Sequence, residues 1–282
     1  MANYQIRELQ LHINKMLLVF DEICRQHSLH YYLLFGTMLG AVRHKGFIPW
    51  DDDIDVGLPR PEYELLIKHA KEWFPAPYEF ICHETDPAFL GGIGKMQDAS
   101  TTLIERTHVR YLGGVYIDIF PLDGISSNPI MQRIQYWRYE YYKKIIYFLL
   151  RDPFKHGHGP SSWIPRLVQW LYTDERAMRQ FKKVMTHYDY DKSDYVSALN
   201  DGMTSVMPKS IFGQPTPIEF EGHMVMGVQQ PHEYLTHEFG DYMWIPPVEK
   251  RISHNFHILD LHHPYRDFDR KTMTHKQPND PK

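Results

Sequence analysis

The chain has 282 residues, of which 43% are hydrophobic and 23% are charged, and its formal net charge is −4. These ordinary values exclude wholesale disorder and provide enough material for the core of one large domain or two small ones. The slightly acidic balance argues against a nucleic-acid-binding protein, and two cysteines are too few for a disulfide framework. We therefore expect a globular protein of a reducing, cytosolic compartment.

The N-terminal region predicts a helix rather than a signal peptide. Residues 1–5 lack the basic segment of a signal peptide. Apolar residues then recur at intervals of three and four, as in an amphipathic helix. They are Ile6, Leu9, Ile13, Met16, Leu17, Phe20, Ile23 and Cys24. The longest apolar run, at 145–150, is too short to cross a bilayer, so any membrane contact is expected to be peripheral.

A region of mixed helices and strands is predicted to follow, up to about residue 125. Glycines and prolines separate the predicted elements, and one proline has the position that is typical of a helix start. The predicted elements are a strand at 31–35, a helix at 38–43, a strand ending at 58, a helix from Pro61, and strands at 78–82, 93–96, 102–105 and 115–120.

The second half is predicted to be mainly helical from 131 to 188, with many aromatic and basic side chains. The stretch 133–151 suits a membrane interface, but packing of its rings on the rest of the protein is the interpretation we favour. A hairpin is predicted within 218–228 and a short helix at 231–239. The adjacent histidines at 262 and 263 have no partner cysteines, so the sequence predicts no zinc site there.

Four aspartates within five positions, Asp51, Asp52, Asp53 and Asp55, are the most informative feature of the chain. Apolar residues alternate with them toward residue 58, which predicts an extended segment with Asp51, Asp53 and Asp55 on one face. Asp52 is expected to point away and to have a structural role. Three buried carboxylates on one face repel one another, and a hard divalent cation, Mg²⁺ or Ca²⁺, is the usual remedy.

Two other interpretations of the aspartate cluster compete with this one. In an EF-hand, three of the aspartates would take the first ligand positions and Glu62 the last. However, Val56 stands where the sharp turn of that loop requires glycine, and Pro49 prevents a regular helix from entering it. A solvated acidic turn without function is disfavoured by the apolar residues around the cluster.

Residues suited to binding phosphate surround the aspartates. Gly36 and Thr37 lie at a predicted strand-to-helix turn, where backbone N–H groups and a hydroxyl can face a phosphate. Arg43 and Lys45 follow, and both side chains can hold phosphate oxygens. Lys95 is a further candidate, although the glycine-rich segment before it lacks the spacing of a P-loop.

A later strand carries one more acid. Asp118 lies between apolar residues in the strand predicted at 115–120, where a carboxylate is costly unless it is paired or bound to a metal. A buried aspartate satisfied by hydrogen bonds is the structural alternative. Asp123, five residues later, is expected to be a turn residue.

Together these segments resemble the LicD family of the nucleotidyltransferase superfamily, over about residues 5–260. One departure is Phe35, where such enzymes tend to have a small residue before the glycine. The resemblance is carried by 36–55 and 116–123, and by 233–235, 239–243 and 246–247 with Arg251 and His254 downstream.

The resemblance implies a mixed α/β fold with a nucleotidyltransferase-like core sheet flanked by helices. We expect residues 1–125 to form the catalytic core and 126–200 to form a helical, aromatic and basic insertion. Residues 201–282 are expected to form a small C-terminal α+β extension that packs on the core, with a mobile tail after about 266.

The implied activity is transfer of phosphocholine, or a related phospho-substituent, from a CDP-linked donor to a sugar hydroxyl, with release of CMP. The acceptor would be a cell-surface glycan, such as lipopolysaccharide or teichoic acid, or its lipid-linked precursor. The alternatives are transfer of a nucleotide monophosphate to a small molecule and a non-catalytic role in glycan assembly. The enzyme is expected in the cytoplasm, with contact to the inner face of the membrane left open.

The implied site combines the aspartates and the phosphate-binding candidates. Asp53, Asp55 and Asp118 are expected to be catalytic and, with Asp51, to hold Mg²⁺ or Mn²⁺. For Asp118 both a base role and a pure ligand role stay open. The residues expected to bind the donor are Gly36, Thr37, Arg43, Lys45, Lys95 and His254.

Overall fold

The structure is a computed structural model that describes residues 6–105, 111–151, 160–251, 253, 256–269 and 272–275. The helices are α1 (Ile6–Gln26), α2 (Phe35–His44), α3 (Arg60–Trp73), α4 (Pro129–Leu150), α5 (Pro160–Leu171), α6 (Asp174–Met185), α7 (Lys209–Phe212) and α8 (Pro231–Phe239). The strands are β1 (Tyr32–Leu33), β2 (Asp55–Pro59), β3 (Tyr78–Ile81), β4 (Gly94–Ile104), β5 (Gly113–Ile125), β6 (Tyr195–Ser197), β7 (Met207–Pro208), β8 (Thr216–Phe220), β9 (His223–Gly227), β10 (Ile258–Asp260), β11 (Phe268–Asp269) and β12 (Thr274–His275).

The main sheet is mixed, which confirms the predicted α/β class. Its central order is β1–β2–β5–β4–β10. In addition, β3 pairs with β4, β6 pairs with β5, and β7 pairs with β6. β2 and β5 run parallel, whereas the other pairs in this sheet are antiparallel. The parallel pair brings the start of β2, where the aspartates lie, next to the middle of β5.

The amphipathic N-terminal helix is confirmed as α1. It buries the predicted face, including Leu9, Ile13 and Leu17, and packs on β5. The strand predicted at 31–35 is shorter than expected because α2 already begins at Phe35. The strands predicted at 93–96 and 102–105 are one continuous strand, β4, with an irregularity in its pairing to β5 between Asp98 and Leu103.

The prediction that Asp123 is a turn residue was wrong. Asp123 lies within β5 and is 1% exposed. Its two carboxylate oxygens accept from Nε and Nη2 of Arg60, at 2.7 and 2.8 Å. Because β5 extends well past the predicted end at 120, the carboxylate is buried, and this bidentate pair with the first residue of α3 satisfies it.

The helical region predicted at 131–188 is confirmed as α4, α5 and α6. Buried side chains of these helices, with Ile125 at the end of β5, form an apolar cluster of their own. Tyr139 of α4 packs on Phe181 of α6 at 4.7 Å between ring centroids. The division of the chain into core, insertion and extension stays a prediction.

The C-terminal part contributes a hairpin and a helix that pack on α2 and β1. The predicted hairpin and helix are confirmed as β8–β9 and α8. At the hairpin turn, Glu221 accepts from the guanidinium of Arg7 at 2.6 Å and from the backbone N–H of Phe47 at 3.2 Å. This carboxylate therefore joins α1 and the loop after α2 to the hairpin. The expected mobile tail contains the two-stranded ribbon β11–β12, and residues 276–282 lie outside the described residues.

Candidate active site

The aspartate loop lies between α2 and β2. The backbone N–H of Asp51 donates to the carbonyl oxygen of Ile48 at 2.9 Å, which turns the chain after the proline. Residues 51–54 then run without regular structure into β2, which begins at Asp55. An EF-hand is excluded because the loop enters a strand, and Glu62 binds the backbone and ring of His30 instead.

Three consecutive carboxylates converge in this loop. One oxygen each from Asp51, Asp52 and Asp53 lies within 4.8 Å of the other two. Asp52 is 3% exposed, so the prediction that it points away from its neighbours was wrong. The alternation of side chains applies inside a strand, and these three residues precede the first residue of β2. Their spacing would allow all three to be ligands of one cation.

Asp55, Asp118 and Lys95 form a row across three strands. Asp55 on β2 is the direct partner of Asp118 on β5, and Asp118 is the direct partner of Lys95 on β4. Side chains of such partners point to the same face of the sheet. The structure thus brings Asp118 together with the aspartate loop, as the sequence predicted.

The carboxylates in this row strongly perturb one another. Burial, followed by the charges of Asp53, Asp118 and Asp51, raises the pKa of Asp55 well above its ordinary value. Burial raises the pKa of Asp118 to about 6, against the opposing effect of Lys95. Oδ1 of Asp118 is buried and makes no hydrogen bond within the described part of the chain. Clustered acids and a buried carboxylate oxygen without a hydrogen bond fit the oxygen donor set that a hard divalent cation requires.

Lys95 brings a positive charge to this site. Its Nζ lies 3.6 Å from Oδ1 of Asp118, 3.1 Å from Oε1 of Glu105 and 3.2 Å above the ring centroid of Tyr116. The hydroxyl of Tyr116 donates to Glu105 at 2.5 Å. These groups line a cavity of about 210 Å³ that also reaches Asp52 and Asp53. Lys95 thus places a positive charge beside the carboxylates that line this cavity.

The first turn of α2 positions the acids. The backbone N–H of Asp55 donates to Oγ1 of Thr37 at 2.9 Å. A Cβ on Gly36 would lie 2.8 Å from Oδ2 of Asp51, so a larger residue here would displace this carboxylate. Phe35, with φ +42°, donates its backbone N–H to the hydroxyl of Tyr234 at 3.0 Å. These contacts give Gly36 and Thr37 a role in holding the aspartates, and their binding to phosphate stays a prediction.

The contacts that the structure shows for Arg43 and Lys45 lead away from the aspartates. Nη1 of Arg43 donates to the carbonyl oxygens of Tyr242 and Trp244, at 3.0 and 3.2 Å. Lys45 pairs with Glu219 at 2.9 Å. His254 lies outside the described residues. Donor binding by these three side chains stays a prediction.

Comparison with known proteins decides the family. The family described as LicD/FKTN/FKRP, nucleotidyltransferase domain, matches residues 28–156. Over 280 aligned residues the chain is 30% identical to the lipopolysaccharide cholinephosphotransferase LicD of Haemophilus influenzae. The alignment covers 90% of this chain and 97% of that protein. The chain belongs to the LicD family.

Shorter matches are found to two uncharacterized rickettsial proteins. The protein of Rickettsia prowazekii is 34% identical over 71 residues, which is 23% of this chain and 27% of that protein. The protein of Rickettsia typhi is 38% identical over 63 residues, covering 18% and 20%. The range matched to the LicD family includes the aspartate loop, Lys95 and Asp118, so the whole acidic row lies in the family's nucleotidyltransferase domain.

Downstream segments that resemble the LicD family also reach the site. Tyr234 supports Phe35 through its hydroxyl, and the guanidinium of Arg251 lies 4.3 Å above the ring of Trp50, next to the aspartate loop. Asp201 adds to the charges that raise the pKa of Asp55. Sequence reasoning missed Asp201 because it lies in a single 3₁₀ turn, Leu199–Asp201, which is too short for a periodicity that shows which side chains face the sheet.

Glu105 was also missed, although a signal for it existed. It follows directly after β4, the strand that carries Lys95, and both side chains face the cavity beside Asp118. The prediction of separate strands at 93–96 and 102–105 hid this relation, because it gave no register between Lys95 and Glu105. A single long strand would have indicated that the two residues can share a face.

Proposed function

We propose that this LicD-family chain transfers phosphocholine from a CDP-linked donor to a sugar hydroxyl of lipopolysaccharide or its lipid-linked precursor. The observation that carries this proposal is the acidic row with Lys95, located inside a chain that aligns almost end to end with a lipopolysaccharide cholinephosphotransferase. Paired carboxylates beside a cation suit attack on a diphosphate, where catalysis depends on positioning and on stabilising negative charge.

We propose that Asp51, Asp53, Asp55 and Asp118 hold Mg²⁺ or Mn²⁺, and that Asp52 contributes to the same cluster. The buried Oδ1 of Asp118, which lacks a hydrogen bond within the described residues, and the mutual repulsion of the carboxylates support this assignment. When bound, the cation would neutralise the diphosphate and stabilise the departing CMP.

Lys95 and Asp118 would have separate roles in the reaction. Lys95 would attract the donor phosphate into the cavity that it lines with Asp53 and Asp118. The acceptor hydroxyl oxygen bonds to the phosphorus of the phosphocholine group, and the bond from that phosphorus to the CMP oxygen breaks. Asp118, with its pKa of about 6, is ionised at neutral pH and can take the hydroxyl proton if it is not fully committed to the cation.

Product analysis tests the reaction class. Incubation with CDP-choline, Mg²⁺ and lipopolysaccharide lacking phosphocholine should release CMP and label the acceptor, and Asp53→Asn should abolish both. Release of pyrophosphate from a nucleoside triphosphate would support nucleotide transfer and overturn the proposal. A thermal-shift screen of CDP-choline, CDP-ethanolamine and CDP-ribitol with Mg²⁺ identifies the donor, because a ligand of the native state raises the unfolding temperature.

We further propose that α4 and α5 contact an anionic membrane surface, where a lipid-linked acceptor would be presented. Large apolar side chains recur on one face of each helix, at least 40% exposed. They are Ile130, Ile134, Trp137 and Tyr141 on α4, and Trp163, Ile164, Leu167, Trp170 and Leu171 on α5. The hydroxyl of Tyr141 on α4 is hydrogen-bonded at 2.9 Å to that of Tyr172, the residue directly after α5. Packing on the body of the protein therefore explains only part of the aromatic content of α4.

The charge of this surface complements anionic lipid. The ranges 129–151 and 160–171 contain six basic residues and one acid, Glu140, in a chain whose net charge is −4. The basic residues are Arg133, Arg138, Lys143, Lys144, Arg151 and Arg166. Exposed tryptophan and tyrosine with neighbouring lysine and arginine suit the interface of a bilayer, and each basic residue near anionic lipid contributes about 1 kcal/mol. Among the described residues, no helix meets the length and hydropathy that crossing a membrane requires.

Vesicle sedimentation tests the membrane contact separately from the chemistry. The protein should bind vesicles of phosphatidylcholine with phosphatidylglycerol more strongly than pure phosphatidylcholine. Trp163→Ser with Trp170→Ser should reduce binding at least tenfold, whereas the matched control Leu11→Ser with Leu65→Ser, on α1 and α3, should not. Transfer to a delipidated, soluble acceptor should be unchanged in the tryptophan variant. Equal vesicle binding by both double variants would overturn the membrane contact and leave the transferase proposal standing.

A further inference from the structure

A second group of potential metal ligands lies at the far edge of the sheet. Asp260 ends β10, His263 follows three residues later, and His275 lies on β12. One ligand atom from each side chain lies within 4.8 Å of the other two. The cluster joins β10, which pairs with β4, to the ribbon β11–β12.

The backbone holds the carboxylate of Asp260 in a fixed orientation. Its Oδ1 accepts from the backbone N–H groups of His262 and His263, at 2.8 and 3.1 Å. Its Oδ2 is left facing the two imidazoles, 2.9 Å from Nδ1 of His263 and 3.6 Å from Nδ1 of His275. One carboxylate oxygen is therefore directed between two ring nitrogens.

Thr102 determines which nitrogen of His275 carries hydrogen. The hydroxyl of Thr102 donates its single proton to the carbonyl oxygen of His263 at 2.8 Å. Toward Nε2 of His275, 2.9 Å away, this hydroxyl can therefore act only as an acceptor, so that nitrogen bears hydrogen. Nδ1 then faces Oδ2 of Asp260 at a separation too long for a hydrogen bond. A lone pair and a carboxylate oxygen thus face each other across a gap.

We propose that Asp260, His263 and His275 bind Zn²⁺ as a structural clip. Two imidazole nitrogens and one carboxylate oxygen, with a water, complete the tetrahedral set that zinc prefers. Bonds of about 2.0–2.2 Å separate neighbouring tetrahedral ligands by about 3.4 Å. This separation lies between the 2.9 Å from Asp260 to His263 and the 3.6 Å from Asp260 to His275. The contact of Thr102 with the far nitrogen of His275 is the outer support that ligating histidines usually have.

The clip has a clear structural purpose. The ribbon β11–β12 has two residue pairs, Phe268 with His275 and Asp269 with Thr274. A two-stranded ribbon of this length is not stable alone in water. A metal shared between His275 and the end of β10 would bind the folded arrangement only, and so would fasten this segment to the main sheet.

Zinc titration of the metal-free full-length chain tests the proposal, in excess Mg²⁺ to occupy sites made of carboxylates alone. One equivalent of Zn²⁺ should bind, and Co²⁺ in its place should give the visible absorption of a four-coordinate site. His263→Ala and His275→Ala should each weaken zinc binding at least tenfold. His262→Ala is the matched control, because its exposed ring is adjacent in sequence and outside the cluster.

Limited proteolysis gives a second readout. Zn²⁺ should slow cleavage near the C-terminus in the wild-type chain and in His262→Ala, but not in His275→Ala or the milder His275→Gln. Circular dichroism checks that each variant is folded. Zinc affinity that is unchanged in both histidine variants, or absent in the wild-type chain, would overturn the site, and protection that is independent of zinc would overturn the clip.

Discussion

Replacing Asp118 with asparagine is expected to stabilise the metal-free protein while abolishing transfer. Burial raises the pKa of Asp118 from 3.8 to about 6, against the effect of Lys95 and with a further contribution from Asp53. At about 1.4 kcal/mol for each tenfold change in proton affinity, keeping this carboxyl ionised at neutral pH costs about 3 kcal/mol of native stability. Asparagine has nearly the same shape without the charge, and Lys95 retains Glu105 as its partner.

The pH dependence of stability shows in which direction ionised Asp118 acts. Because the pKa of Asp118 is higher in the folded chain than in the unfolded chain, the folded chain binds more protons between about pH 4 and pH 6. The contribution of Asp118 to stability therefore falls as the pH rises through this window. Urea denaturation in EDTA should show a difference between Asp118→Asn and wild type that grows from pH 4 to pH 7. At pH 7.5 the variant should unfold roughly 6–12 °C higher.

A matched control lies on the same strand. The carboxylate of Asp123 is held by the buried guanidinium of Arg60, so Asp123→Asn should destabilise the protein by about 3–5 kcal/mol, the opposite sign. The reasoning is refuted if Asp118→Asn is destabilised like this control. It is also refuted if Asp118→Asn retains transfer and is stabilised by Mg²⁺ as much as the wild type.

Three further substitutions test individual contacts. Gly36→Ala places a methyl group 2.8 Å from Oδ2 of Asp51 and should displace this carboxylate, so transfer should fall at least tenfold while the chain stays folded. Wild-type kinetics in this variant would show that the loop accommodates the methyl group. Lys95→Met should weaken binding of the CDP-linked donor by about 10- to 100-fold in calorimetry, and an unchanged Kd would remove Lys95 from the donor site. Tyr31→Phe removes a buried hydroxyl that donates to Asp21 at 2.7 Å, so urea denaturation should show a loss of about 1–3 kcal/mol. A loss below about 0.5 kcal/mol would mean that the hydrogen bond contributes little net stability.

The parts of the site that local patterns predict were recovered from the sequence. Asp118 is conspicuous because a single acid in an apolar strand requires a partner, and the aspartate loop is conspicuous because its charges are dense. The parallel pairing of β2 with β5 then brings Asp55 and Asp118 together. The resemblance to the LicD family, which the comparisons confirm, supplied the expectation that these two strands meet.

The remaining contacts depend on where elements end, which propensity does not determine. Asp52 was misplaced because the strand starts later than predicted, and Asp123 because β5 ends later. Arg43 was expected at a phosphate from its position in the chain, yet its hydrogen bonds go to carbonyl groups of Tyr242 and Trp244, about 200 residues away. No periodicity within a single segment carries such long-range information.

The length of β5 has a mechanical consequence. One continuous strand carries Asp118 near its middle and reaches the apolar cluster of α4–α6 with Ile125 at its end. Seven residues of extended chain span about 23 Å, and a strand paired along this stretch with β2 and then β6 cannot easily change that length. If α4 and α5 lie on a membrane, the strand would hold the reacting carboxylates at a fixed distance from the lipid surface. We therefore expect acceptors to be selected by how far their sugar hydroxyl stands from its lipid anchor.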